Sequence, residues 1–396
     1  MTGSSVRPLD YARNGRHVYD AIIIGAGFAG LSTAYHLAKK GLKNIVVLEH
    51  EKKLGSHASG RNAGMIRQAI SDPILGKLAA EGRRTLSLCE KKGWKGTRLA
   101  LNGSLLLARD KEIDQLKKIA KVLKNEKIPA QWFNQKKASR LVSLLDGGDF
   151  KRALFCKSDA MIDIDRLIKG FYQALKTRRV QVLMGHGARS IRKEKNLFYV
   201  TTAGNKALWA RRLVDAGGAW AGAVARKAHA SLIVLKAYRR HLLTANPSRP
   251  FDASWPFVWD LSRDFYFRPE KGVLLLSACD TQEIKDTQKT VKKETVDPHI
   301  KNVLFGKLKG FSDKFESISI RSVKSGLRTM SPDSRFVIGE DPKLKGFFWV
   351  AALGGHGMTT SFAVGDLASD LILGRKREKK LVNALSPKRF IKTDNC

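Results

Sequence analysis

The chain has 396 residues, 43% of them hydrophobic, which is ample for one or two buried cores and too apolar for disorder as the main state. Lysine and arginine number 73 against 36 aspartates and glutamates, a formal net charge of +37 that is unusual for a soluble enzyme. Four cysteines, Cys89, Cys156, Cys279 and Cys396, stand far apart with no CxxC pair, which speaks against a zinc ribbon or disulfide framework and for a reducing compartment.

The opening MTGSSVRPLDYARNGRH lacks the apolar core of a signal peptide, and no later apolar run approaches the roughly 18 residues of a membrane span. The expected location is cytoplasmic, with peripheral contact at the inner face of a membrane as the variant. Residues 1–17 read as a flexible tail. The run YDAIII (19–24) ends in glycines and predicts a strand buried on both faces. In the following GAGFAGLSTAYHLAKKG, Leu31, Ala34, Tyr35 and Ala38 recur at helical spacing and Gly41 ends the helix; NIVVLE then supplies a second strand.

Two more helices follow from period alone. Ile113, Leu116, Ile119, Ala120 and Leu123 share one stripe; Ile164, Leu167, Ile168, Phe171 and Leu175 share another, with Asp163 placed to cap it. Segments 180–184, 197–202 and 207–214 predict strands of one small sheet. The stretch 231–280 is mostly strand-like, broken at Pro247, Pro250, Pro256 and Pro269, and 281–316 is lysine-rich surface helix and loop. No repeat of 20 to 50 residues suggests a solenoid or propeller.

Gly25, Gly27 and Gly30 form GxGxxG between the first strand and its helix, and Glu49 closes the next strand. Gly25 permits the tight turn, Gly27 admits a pyrophosphate, and Gly30 allows close packing of helix on strand. The helix amino end offers N–H groups to phosphate, and Glu49 would accept hydrogen bonds from an adenosine ribose while repelling a 2'-phosphate. A dinucleotide is expected, FAD or NAD.

GSHASGRNAGMIRQA (55–69), LVDAGGAWAG (213–222), SGLRTMSPDSRFVIG (325–339) and GFFWVAALGGHGMTTSFAVGDLASDLI (346–372) together resemble the FAD-dependent D-amino acid oxidase family, which includes glycine and sarcosine oxidases and D-amino acid dehydrogenases. The resemblance runs in the family's order over nearly the whole chain after residue 17, and within the family the run Lys236 to Gly272 is most similar to bacterial D-arginine dehydrogenase. It implies an α/β fold with a Rossmann-like FAD-binding domain and a second, mostly antiparallel β-sheet substrate domain flanked by helices. The FAD domain would comprise 18–94, 150–222 and 323–380, the substrate domain 95–149 and 223–322, and 381–396 a C-terminal tail.

By the same resemblance the loop Ser56, His57, Ala58, Ser59, Gly60 and Arg61 would lie along the flavin and pyrophosphate, where free backbone N–H groups suit close approach. Gly217 and Gly218 would pass beneath the cofactor. Gly354, Gly355, His356, Gly357, Met358 and Thr359 would bring a helix amino terminus toward the flavin pyrimidine, stabilising negative charge there. Arg328 would bind the substrate carboxylate with its planar fork, joined by Arg240 and by the Tyr266 phenol. The sequence departs from D-arginine dehydrogenase where that enzyme's glutamate pairs with the substrate guanidinium: here stands Ser104 or Gly103. Its lid residues are replaced near Met65 and Ile70. An apolar, polar or acidic substrate side chain is therefore expected. Sarcosine oxidase tethers its flavin through a cysteine where this chain has Gly326, so FAD is expected to be non-covalent, although His57 in SHASG resembles the tethering histidine of dimethylglycine dehydrogenase.

The implied reaction is hydride transfer from an amino acid Cα to flavin N5, giving an imino acid that hydrolyses to a 2-oxo acid. Oxygen or a quinone would be the electron acceptor. The alternatives are a 2-hydroxy-acid oxidase using His356 as base, or a flavin-binding protein without amine oxidation. No nucleic-acid-binding pattern accompanies the positive charge, which suggests at most loose, salt-sensitive contact with an anionic membrane.

Overall fold

A computed structural model describes residues 11–12, 16–94, 96–247, 250–287, 296–315 and 317–391. Residues 1–10 and 13–15 of the expected N-terminal tail, part of the lysine-rich 281–316 segment, and Cys396 lie outside them.

The fully buried run AIII makes the strand Ala21–Ile24, centrally placed in a six-stranded sheet. It pairs in parallel with Ile45–Leu48 on one side and Leu213–Asp215 on the other. Gln181–Leu183 extends one edge in parallel, while Phe347–Ala351 and then the antiparallel Val337–Glu340 complete the other. Parallel strands need both faces covered. One face carries the helices Phe28–Lys39, Ile164–Lys176 and Ser361–Ile372, joined through Ile23, Leu31, Phe171 and Phe362. The other carries a small sheet and the helix Ala221–Ala228, joined through Ile22, Val46, Phe198 and Val224. Asp163 caps its helix as expected, accepting a hydrogen bond from the Arg166 amide at 3.0 Å.

A nine-stranded sheet forms the second layer, built on the long pair Lys236–Asn246 and Ser319–Met330. It is antiparallel except where Phe257–Asp260 runs parallel to Ser104–Ala108. The mixed α/β architecture, with a mostly antiparallel second sheet, is as expected.

Several assignments differ in detail. Gln181–Leu183 extends the central sheet rather than the small one, and 207–214 divides into Ala207–Ala210 in the small sheet and Leu213–Asp215 in the central one. Arg152–Cys156 and Ser319–Met330 pair in the large sheet, so the chain crosses between lobes at other points than the expected 150 and 323. At the N-terminal end, Arg16–Tyr19 is already a strand of the small sheet, paired with Tyr11–Ala12. Residues 381–390 are not a tail: the helix Lys379–Leu385 buries Leu381 and Leu385 against the core, and a short 3-10 turn follows to Phe390.

Candidate active site

The first strand delivers the chain into a cleft that the glycines keep open. Gly25 adopts φ +104°, and a Cβ there would stand 2.4 Å from the Ala216 carbonyl oxygen. A Cβ on Gly30 would stand 1.8 Å from the Gly25 carbonyl oxygen, so this residue fixes the helix against the turn rather than facing the cleft. Gly27 and the neighbouring turn line an elongated cavity of about 470 Å³ with Glu49, His57, Ser59, Gly217, Gly218 and Trp220. Glu49 accepts hydrogen bonds from the Ala26 amide at 2.8 Å and the Glu51 amide at 2.9 Å. A carboxylate has about four acceptor sites, so Glu49 retains capacity for a sugar hydroxyl.

The serine-rich loop closes over this turn. The Ser59 hydroxyl accepts from the Phe28 amide at 3.0 Å, bonding a residue 31 positions away to the start of the first helix. Asn62 braces the loop, donating to the Ser59 carbonyl at 2.7 Å and accepting from the Gly64 amide at 2.9 Å. Gly60 sits beneath, where a Cβ would meet the Gly55 carbonyl oxygen at 2.0 Å. His57 Nε2 lies 3.0 Å from Glu51 Oε1, and its ring lies 4.6 Å from that of Trp220.

A second cavity of about 140 Å³ shares Gly27, Ser59, Ala216 and Gly218 with the first. Arg61, Arg240, Tyr266, Arg328, Gly354, Gly355, Gly357 and Met358 line it as well. The strand register explains the grouping. Arg240 stands opposite Gly326 and Tyr238 opposite Arg328, so Arg240 and Arg328 are diagonal neighbours on one face. Gly355, at φ +89°, lets Arg328 lie against the loop: a Cβ there would stand 2.9 Å from the guanidinium carbon. At Gly326 the Arg61 backbone passes overhead, 2.7 Å from where a Cβ would be.

Tyr266 is fully buried and its hydroxyl has no hydrogen-bond partner; the Ser277 hydroxyl donates to the His241 carbonyl at 2.8 Å and accepts from the Cys279 amide at 3.2 Å. Arg240 Nε donates to the Asp280 carbonyl at 3.1 Å, while the Asp280 carboxylate is engaged by the His241 ring at 2.7 Å and the His241 amide at 2.9 Å. Burial, and then the Arg240 charge, lower the Arg328 pKa. Thr359 and His356 do not line this cavity. Thr359 is buried, its hydroxyl accepting from the Arg67 amide at 3.2 Å; burial, with Arg67 and Arg328 nearby, lowers His356 to about 3. The helix into which residues 354–359 lead begins at Ser361, and the glycine-rich loop before it faces the cavity.

The fused cavities fit a dinucleotide. Two positions that line them or their floor, Gly25 and Gly27, could not carry a Cβ without meeting Ala216 or Ser59 within 3 Å, and the larger chamber is bordered by an acid able to hold a sugar. Residues 20–371 match the family described as "DAO: FAD dependent oxidoreductase". The chain belongs to this family of FAD-dependent oxidoreductases. Human mitochondrial sarcosine dehydrogenase is 25% identical over 386 residues, covering 93% of this chain and 40% of that protein. The chain thus spans only about two-fifths of the first curated relatives it matches. L-proline dehydrogenase from P. horikoshii superposes with TM-score 0.82 at 21% identity, covering 95% of this chain and 98% of that one. Glycine oxidase from Geobacillus kaustophilus gives 0.79 at 21%, covering 94% and 99%. These likenesses establish the fold.

Residues that sequence reasoning passed over are Arg67, Trp259 and Trp220. Arg67 lies inside the quoted motif GSHASGRNAGMIRQA, but among 73 basic residues its charge carried no signal of its own.

Proposed function

We propose that the chain oxidises the CH–N bond of an amino acid, a D-amino acid or an N-methyl or glycine-type one, with Arg328 as carboxylate anchor. The observation that carries this is the convergence of the Arg328 guanidinium and the partnerless Tyr266 hydroxyl on a cavity continuous with the dinucleotide cleft. Non-covalent FAD would supply the acceptor for the Cα hydride, and the imino acid released hydrolyses to a 2-oxo acid and ammonia or an amine. Arg328 fixes the carboxylate in two directions, Tyr266 donates to it, and Arg240 adds a second cation; together they set the Cα–H orientation on which the rate depends. The surrounding guanidinium charges favour the neutral amine over the ammonium, so kcat/KM rises with pH through the substrate amine titration.

Gly25, Gly27, Glu49, Ser59, Arg61, Gly217 and Gly218 would hold the dinucleotide, with Gly30 and Gly60 keeping the helix and the loop packed close beneath them. Gly354, Gly355, Gly357, Met358 and Thr359 would form or support the wall at its flavin end. His57, its Nε2 beside Glu51, would border the cofactor without a covalent link. A neutral imidazole near pKa 3 is a poor base, which supports an amine over a 2-hydroxy acid as substrate. Gly103 and Ser104 supply no acid for a substrate guanidinium, and the neighbouring Asp159 is taken up by the Ser104 hydroxyl at 2.7 Å and the Gln68 amide at 2.8 Å. That arrangement disfavours the cationic substrate of D-arginine dehydrogenase. Oxygen or a quinone is the final acceptor, and any membrane contact is loose and electrostatic, with no specific nucleic acid bound.

Anaerobic addition of a D- and L-amino-acid panel with sarcosine, glycine, proline and 2-hydroxy acids tests the reading. Bleaching of the flavin absorbance by an amino acid but not by hydroxy acids is expected, and no bleaching by any member overturns it. Arg328→Ala should keep its yellow colour and lose about a hundredfold or more in kcat/KM.

A further inference from the structure

We propose that the site takes an amino acid bearing a second carboxylate, held by the Arg67 guanidinium while Arg328 holds the α-carboxylate. This rests on the functional reading above and adds a substrate class to it.

Arg67 follows the short strand Met65–Ile66, and its backbone is bonded to the Thr359 hydroxyl, so it is tied to the loop that carries Gly355 and Met358. Its guanidinium carbon lies 4.2 Å from the Trp259 ring centroid. Trp259 is the register partner of Tyr266 on the adjacent strand, with ring centroids 4.9 Å apart. Tyr266 lines the cavity with Arg240 and Arg328. Arg67 and Trp259 do not themselves line that cavity; the Arg67 guanidinium lies behind its wall, one ring beyond Tyr266, near enough for the Arg328 and Arg240 charges to act on it. Stacking on an indole occupies a guanidinium face and leaves the in-plane N–H fork available, the geometry that grips a carboxylate.

The charge balance points the same way. Among the described residues no carboxylate lies within ion-pair distance of Arg67, Arg240 or Arg328, and the Arg67 guanidinium makes no hydrogen bond. Asp159 is the nearest acid to influence Arg67, but its oxygens accept from Ser104 and from the Gln68 amide and side chain. Burial, then the Arg328 charge, lower Arg67 to about 10. Three like charges gathered in a protein wall are costly unless an anion compensates them. A monocarboxylic amino acid, bound with its amine neutral, brings a single negative charge against three guanidinium groups, and its carboxylate serves one guanidinium pair. A side-chain or N-linked carboxylate supplies the missing anion and a partner for the free fork of Arg67.

Isothermal titration of the FAD-loaded protein with succinate and butyrate, at matched ionic strength, compares two four-carbon acids that differ in one terminal carboxylate. Succinate should bind about tenfold or more tightly than butyrate. Arg67→Met should bring that ratio to about one, and Arg67→Lys should retain part of it. A wild-type ratio near one, or an undiminished ratio in Arg67→Met, overturns the second subsite and leaves Arg67 a structural partner of Trp259. Should Arg67→Met not fold, the wild-type ratio and Arg67→Lys still decide. Failure of the underlying reading looks different: butyrate would then bind equally well to Arg328→Ala, or not at all to the wild type.

Discussion

Tyr266 concentrates the argument at the scale of single residues. A buried hydroxyl without a partner is a cost in the free protein, so Tyr266→Phe should leave thermal stability unchanged or slightly higher while lowering kcat/KM about tenfold. Melting temperature and steady-state kinetics on one preparation check both halves; a large loss of stability would make the tyrosine structural. His57 gives a second residue-level expectation. With its ring beside Glu51 and Trp220, acid precipitation should release the flavin into the supernatant, and yellow protein in the pellet would establish a tether instead. Both residues stood out in the sequence, Tyr266 in DFYF and His57 in SHASG, because each sits in a run that resembles the family. Arg67 sits in such a run too, but only the stack on Trp259, far away in the chain, separates it from ordinary surface arginines.

At the scale of elements, the first helix shows how tightly the dinucleotide end is built. Its Gly30 lies so near the Gly25 carbonyl that Gly30→Ala must part helix and turn; the expected result is protein lacking bound flavin, read from the ratio of visible to ultraviolet absorbance. Further along, His36 is buried, with Nδ1 2.9 Å from the Ser32 carbonyl, and burial lowers its pKa to about 4. The unfolded histidine titrates near 6.5, so the unfolded state binds more protons between these values. Stability is therefore full above about pH 6.5 and declines by on the order of 3 kcal/mol as pH falls to about 4. Denaturant melts at both ends of that window should show a smaller decline in His36→Leu than in the wild type.

The same helix, with its flanking strands, was legible from the sequence because everything that specifies it is local: an apolar run, three glycines and a helical stripe. The run VQVLM forms a strand, as its apolar residues predict, but in the central sheet rather than the small one. A short apolar strand offers the same hydrogen-bonding edge to either sheet, and the preceding helix Ile164–Lys176 returns it beside Ile45–Leu48. The segment after 380 carries one short apolar cluster, Leu381, Val382, Ala384 and Leu385, less than two helical turns, too short to mark a helix until the edge strand Val337–Glu340 is there to receive it.

The molecule as a whole carries a formal net charge of +37. Among the described residues no helix is long and apolar enough to cross a membrane. The excess charge predicts sedimentation with vesicles containing anionic lipid at about 0.05 M salt and release at about 0.5 M, where screening shortens the reach of each charge. Retention at high salt, or indifference to lipid charge at low salt, would remove the peripheral-contact reading. The sequence by itself determined the glycine turn between the first buried strand and its helix, and which family the chain resembles, because those features depend on short spacings; Arg328 as the anchor for an acid is what that resemblance implies. Only the tertiary structure decided which basic side chains gather, since Arg240 and Arg328 share a cavity through strand register and Arg67 is set behind its wall by loop closure, interactions that act across hundreds of residues and leave no local trace.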